Sequence, residues 1–128
     1  MEPITVLVVD DHTLFRRGIT AVLADQENLK VVGEVSDGLE AIQKAKEIAP
    51  DVILMDLNMP NCSGLEATQA LQTEMPQANI LVLTVSEKES DLFAAMKFGA
   101  KGYLLKNAEP EELIHAIFHI ARGGAVSY

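Results

Sequence analysis

The sequence contains no tryptophan and a single cysteine, and only two tyrosines and four phenylalanines among 128 residues. The lone thiol, Cys62, excludes an internal disulfide and suits a reducing cytoplasm. Cationic side chains are also scarce: ten Lys and Arg stand against nineteen Asp and Glu, for a net charge of −9. That balance argues against direct binding of nucleic acid, which needs clustered Lys and Arg against the phosphate backbone. No apolar run approaches the ~20 residues a membrane-spanning helix requires. The N-terminus has no basic segment followed by an apolar one, so no secretory signal is legible. No low-complexity tract or second domain interrupts the chain.

What is present is apolar matter in short pieces. Residues of hydrophobic type make up 48% of the chain, enough for a sizeable core. Five runs recur: ITVLVV (4–9), KVVGEV (30–35), DVILM (51–55), NILVLT (79–84) and GYLLK (102–106). They are short and rich in β-branched residues, so strands are expected. The first, third and fourth are continuously apolar, the signature of a parallel strand covered on both faces.

Helical stripes fill the gaps between them. Leu14, Phe15, Ile19, Val22 and Leu23 form the first. Leu39, Ile42, Ala45 and Ile48 form the second, and Leu65, Thr68, Leu71 and Met75 the third. Leu92, Ala95 and Met96 form the fourth, with Gly99 placed to end it. Leu113, Ile114, Ile117, Ile120 and Ala121 form the fifth, with Pro110, Glu111 and Glu112 suited to its first turn. Five βα units of this kind imply an open parallel sheet with helices on both faces.

The strand ends carry the chemistry. Asp10 and Asp11 follow the first strand, Asp56 the third, and Thr84 and Lys106 close the fourth and fifth. Parallel strands bring these ends to one edge, where open α/β sheets bind ligands at the point of order reversal. If the first and third strands are neighbours, three carboxylates meet. Each pair ~4 Å apart repels by roughly 4 kcal/mol at an effective dielectric near 20. Either a proton stays on one of them or a cation sits among them. An all-oxygen donor set suits a hard ion, Mg²⁺ before Zn²⁺. Thr84 adds a hydroxyl donor and Lys106 a fixed positive charge, which together equip the edge for phosphoryl transfer. Singly, each residue has a plainer role: Asp11 or Thr13 as cap of the first helix, Thr84 as a β-former, Lys106 as a solvated charge. Their coincidence at four of five strand ends favours a site.

At these residues the chain closely resembles the receiver domain of bacterial two-component response regulators. The resemblance spans VVDDH (8–12), DGLEAI (37–42), DVILMDLNMPNCSGLEA (51–67), ILVLTVS (80–86) and GAKGYLLKNAEPEELIHAI (99–117). The wording around GYLLKNAEPEEL and ARGG resembles the LuxR/NarL branch, whose regulators carry a C-terminal helix-turn-helix. The resemblance implies a flavodoxin-like strand order 2-1-3-4-5. It implies a receiver over residues 1–122 and, at 123–128, the start of a linker to a DNA-binding domain outside this chain. It also implies roles. Asp56 accepts a phosphoryl group from a sensor histidine kinase. Asp10 or Asp11, or both, hold Mg²⁺, with Asp56 as a further ligand and the Asn58 carbonyl completing the protein share. Thr84 and Lys106 bind phosphoryl oxygens, and Tyr103 is the switch aromatic that turns inward. Homodimerisation on phosphorylation, a cytoplasmic location and transcriptional output through the missing domain follow from the same resemblance. Such a chain assists its own phosphorylation and dephosphorylation but is not an enzyme with an outside substrate. Two departures stand out: Asn107 where many receivers have proline, and Val85 where a small residue is common.

Three competing readings carry less. A Mg²⁺-dependent phosphohydrolase lacks the acid two residues after Asp56, where Asn58 stands, and lacks an inserted cap. A flavodoxin-like cofactor binder needs a Gly- or hydroxyl-rich loop where DDHT stands. A pseudo-receiver driven by protein contacts alone has no need of the intact five-residue set. His115 and His119 share a helix face but have no third ligand, and so are expected at the surface. His12 is expected in a loop at the acidic mouth. Phe15 is expected to face either the core or the kinase, because receivers often dock the kinase with this helix.

Overall fold

A computed structural model describes residues 2–124 and 126–127, the last two by backbone alone. The chain alternates β1 (Ile4–Val9), α1 (Thr13–Ala24), β2 (Leu29–Val35), α2 (Gly38–Ile48), β3 (Val52–Met55), α3 (Gly64–Glu74), β4 (Ile80–Thr84), α4 (Glu89–Lys97), β5 (Gly102–Leu105) and α5 (Pro110–Ala121). A two-residue β6 (Val126–Ser127) follows. The sheet order is β2-β1-β3-β4-β5-β6 with every pair parallel, so the expected order 2-1-3-4-5 is observed. β6 was not foreseen: Val126 and Ser127 lie beside Gly102 and Tyr103 and extend the sheet past β5. Ala125 and Tyr128, which fall in the expected linker stretch, lie outside the described residues.

The apolar runs split by parity, as the two-residue period of a strand requires. Leu7, Val9, Ile53, Met55, Ile80 and Val82 face one cluster, shared with Ala41 and Ala45 of α2, Ala67 and Leu71 of α3, and Ala95 of α4. Val6, Val8, Leu54, Leu81 and Leu83 face the other, shared with Leu23 of α1 and with Leu113, Ile117 and Ile120 of α5. Burying one such side chain contributes about 1.5–3 kcal/mol, and these two layers hold the sheet.

Helix ends follow local chemistry. The Asp37 carboxylate accepts from the Glu40 N–H at the start of α2, and Ser63 with Glu66 forms a capping box on α3. At α5 the Glu112 carboxylate accepts from the Glu109 N–H at 3.3 Å, with Pro110 in the first turn as expected. Gly99 follows α4 with φ +115°, the left-handed stop its position suggested. The start of α1 corrects the sequence reading. Its N-cap is His12, with no side-chain cap from either Asp11 or Thr13. Two stripe members are also corrected: Leu14 is 88% exposed and Leu39 54%. Adjacent helix positions sit 100° apart, so Phe15 takes the inward direction and Leu14 points out.

Candidate functional site

Strand register assembles the site before any side chain acts. Val9 lies opposite Met55, so Asp10 and Asp56 leave neighbouring strands at the same level. The Asp56 N–H donates to the Val9 carbonyl at 3.0 Å. On the other side Thr84 lies opposite Leu105, and the Lys106 N–H donates to the Thr84 carbonyl at 2.8 Å. The order reversal falls between β1 and β3, where the acids are.

Asp10 and Asp56 are buried, at 3% and 4% exposure, and Thr84 is fully enclosed. One ligand atom from each of Asp10, Asp11, His12 and Asp56 lies within 4.8 Å of the others. Oδ1 of Asp11 is buried without a hydrogen-bond partner. A buried lone pair of this kind costs about 1–3 kcal/mol unless something occupies it. Three carboxylates with an orphaned oxygen suit a hard divalent cation, so the donor set fits the expected metal. The imidazole of His12 is exposed and stands 3.6 Å from Asp10 and 3.7 Å from Asp11.

Asp56 is held away from its usual acidity. Burial and, next, the charge of Asp10 push its pKa from 3.8 up to about 6; Lys106 and the Asn58 N–H pull it back, and Asp11 adds a smaller push. The Lys106 ammonium lies 2.7 Å from Oδ2 of Asp10 and 3.6 Å from Oδ1 of Asp56. Lys106 thus neutralises the pair of acids, a task beyond the phosphoryl-oxygen role expected of it.

The Thr84 hydroxyl accepts from the Ser86 N–H at 3.2 Å. Tyr103 is buried, and its hydroxyl donates to the Ser86 carbonyl at 2.8 Å. The Ser86 hydroxyl in turn donates to Asp91 on α4 and accepts from the Lys88 N–H. Thr84 and Tyr103, paired by expectation, are therefore joined through one loop residue.

Three further residues shape the site without having been singled out. Arg16 donates to the Asp10 carbonyl at 2.7 Å and pairs with Glu34 of β2 at 3.1 Å, pinning the turn after β1. Gly64 starts α3 so close to β3 that a Cβ there would fall 1.9 Å from the Asp56 carbonyl. Ser86 is the third. None has a sequence signal beyond residue type, because each acts on a partner fixed by the fold. His115 and His119 are exposed on α5, as expected. Cys62 is a buried free thiol whose pKa burial raises, with Glu66 and Asp37 adding to the effect. Val85 is exposed beside the site, and no peptide bond among the described residues is cis, the one after Lys106 included.

A doubly wound parallel sheet with three acids and a lysine at its switch-point edge defines the receiver class. The family described as "Response regulator receiver domain" matches residues 6–118. Among curated relatives, the nitrate/nitrite response regulator NarL of Escherichia coli K12 is 42% identical over 98% of this chain and 58% of its own. NarP of the same organism is 46% identical over 97% and 58%, and the response regulator GacA of Pseudomonas aeruginosa 46% over 94% and 56%. The chain thus spans a little over half the length of these relatives. A LuxR-family two-component response regulator from Aurantimonas sp. SI85-9A1 superposes with a TM-score of 0.93 at 32% identity, covering 98% of this chain and 89% of that one. The isolated receiver domain of RcsB from Salmonella enterica serovar Typhimurium superposes at 0.90 with 26% identity, covering 99% and 94%. The chain belongs to the response regulator receiver domain family, and among its relatives are response regulators of the NarL and GacA kind. Among the described residues no helix is long and apolar enough to cross a membrane.

Proposed function

We propose that Asp56 is the phosphoacceptor, receiving its phosphoryl group from the phosphohistidine of a sensor histidine kinase. A carboxylate oxygen of Asp56 forms the new bond to phosphorus as the bond from phosphorus to the histidine nitrogen breaks. The electron pair returns to the imidazole. Negative charge on the transferring oxygens is met by the Lys106 ammonium and the Thr84 hydroxyl. Mg²⁺, held by Asp10, Asp11, Asp56 and the Asn58 carbonyl, supplies charge neutralisation and alignment when bound. The observation that carries this reading is the burial of Asp56 beside Asp10, with Lys106 within 3.6 Å.

Phosphorylation replaces a single negative charge with one near −2 and new acceptor oxygens. Thr84 moves toward that group, and the pull reaches Tyr103 through Ser86, whose N–H and C=O bind the two hydroxyls. Tyr103 already lies inward here, so the phosphoryl group acts by holding it there and thereby favours the active arrangement of the face formed by α4, β5 and α5. Homodimerisation on that signal, and DNA binding by an output domain reached through a linker beginning at 123–128, complete the proposal. The greater length of the relatives supports that organisation, with residues 1–122 as the receiver. Leu14, exposed at the start of α1, offers an apolar contact to the kinase. The chain assists its own phosphorylation and dephosphorylation in the cytoplasm and acts on no outside substrate.

The test is incubation with acetyl phosphate, with and without Mg²⁺, followed by intact mass. One labile phosphoryl adduct that requires Mg²⁺ and is lost in Asp56→Asn supports the reading. An adduct retained in that variant overturns it.

A further inference from the structure

The Lys106 ammonium has a third neighbour besides the two acids: it stands over the Phe15 ring, 4.5 Å from the centroid. Phe15 is half-buried on α1 and packs with Ile19 against the cluster that contains Leu113. Phe15, Ile19, Leu83, Leu105 and Leu113 line a small cavity of about 50 Å³ together with Lys106 itself. The lysine stem thus runs along apolar surface while its charged end reaches the acids, and its side chain is only 10% exposed.

A lysine in that position must satisfy two demands. It has to hold its charge beside Asp10 and Asp56, and it has to be able to turn from them toward a new anion. A carboxylate or hydroxyl beneath it would compete as a hydrogen-bond partner and fix its direction. An aromatic face attracts the cation without taking any of its three protons. The attraction is radial, so the ammonium can swing between oxygens while keeping its place over the ring.

We propose that Phe15 is a positioning residue for Lys106, holding the ammonium by a cation–π contact so that it faces the phosphoacceptor. This rests on the reading of Asp56 and Lys106 given above. An aromatic side chain at position 15 is therefore required for its ring and not only for its bulk. Leucine there keeps the apolar packing and favours the helix, yet offers no ring face. Tyrosine keeps the face, and the half-exposed site gives its hydroxyl a route to water.

The experiment uses the 128-residue chain as wild type, Phe15→Leu and Phe15→Tyr, each checked by thermal melting. The first readout is the proton chemical shift of the Lys106 ε-methylene, which a ring face moves upfield. The shift is expected in wild type and Phe15→Tyr and absent in Phe15→Leu. The second is the rate of Asp56 modification by acetyl phosphate with Mg²⁺. Phe15→Leu is expected to be roughly three- to tenfold slower, the size of an ordinary cation–π contact, and Phe15→Tyr within about twofold of wild type. A folded Phe15→Leu with wild-type rate and an unchanged methylene shift overturns the proposal, as does a Phe15→Tyr as slow as the leucine variant. If wild type itself takes no phosphoryl group, the reading of Asp56 fails, and the methylene shift still decides whether Phe15 holds Lys106.

Discussion

Lys106 stands closer to Asp10 than to Asp56, at 2.7 Å against 3.6 Å. The lysine therefore serves first as a counter-charge inside the acidic cluster. Lys106→Met leaves both buried carboxylates without it. Breaking a buried pair from one side costs about 3–5 kcal/mol, and chemical denaturation at pH 7 is expected to show a loss near the lower end of that range. Part of the loss should return at pH 5, where Asp56 takes up a proton.

The raised pKa of Asp56 fixes a pH slope. The unfolded chain releases this proton near 3.8, the folded one near 6. Between those values the folded state holds more protons, so stability falls as pH rises through the window. Denaturant titrations from pH 4 to pH 7 in metal-free buffer should show that fall. Asp56→Asn should flatten the slope and be more stable than wild type at pH 7. A steeper slope in the variant would contradict the assignment.

Mg²⁺ should reverse part of the same penalty. Binding to the folded state alone raises the melting temperature with ligand concentration by mass action. At pH 7 the wild-type melting temperature is expected to climb with Mg²⁺, while Asp11→Asn, which removes the orphaned carboxylate oxygen, should respond far less. An equal climb in both proteins would remove Asp11 from the ligand set.

The Tyr103–Ser86 hydrogen bond makes two effects separable. Tyr103→Phe deletes one bond and should cost about 1 kcal/mol in denaturation. Tyr103→Ala also deletes the ring that fills the space between β5 and α4. It should leave the rate of Asp56 modification within about threefold of wild type. Dimerisation after modification, followed by sedimentation velocity, should be lost. Dimerisation intact in Tyr103→Ala would break the proposed coupling.

Gly64 is held to glycine by the backbone of Asp56 and Leu57, just past the end of β3. Gly64→Ala places a methyl group against the Asp56 carbonyl, an overlap that only a backbone shift relieves. Overpacking against such a rigid neighbour costs about 1–3 kcal/mol. Because the displaced carbonyl belongs to Asp56, the rate with acetyl phosphate should drop along with stability, unlike in a variant of a surface glycine such as Gly18.

The sheet was legible because its evidence is local and repeated. Continuous apolar runs at β1, β3 and β4 state that both faces are covered, and parity within each run sorts residues between the two layers. The acids were legible because they end those runs. Leu14 and Leu39 misled because an apolar stripe read from spacing alone is wider than the buried arc of the helix. Arg16, Gly64 and Ser86 were not readable, since each depends on an atom brought near by the fold: a carbonyl, the backbone just past β3, a tyrosine hydroxyl. The two residues of β6 carry too little pattern to announce a strand.

The bridge between Thr84 and Tyr103 is made of main-chain atoms, an amide on one side of Ser86 and a carbonyl on the other. Every amino acid except proline brings that same pair of groups. The side chain at position 86 is thereby free to drift toward other partners, tuning how firmly its loop is tethered to α4, while the conduit itself stays indifferent to the mutation.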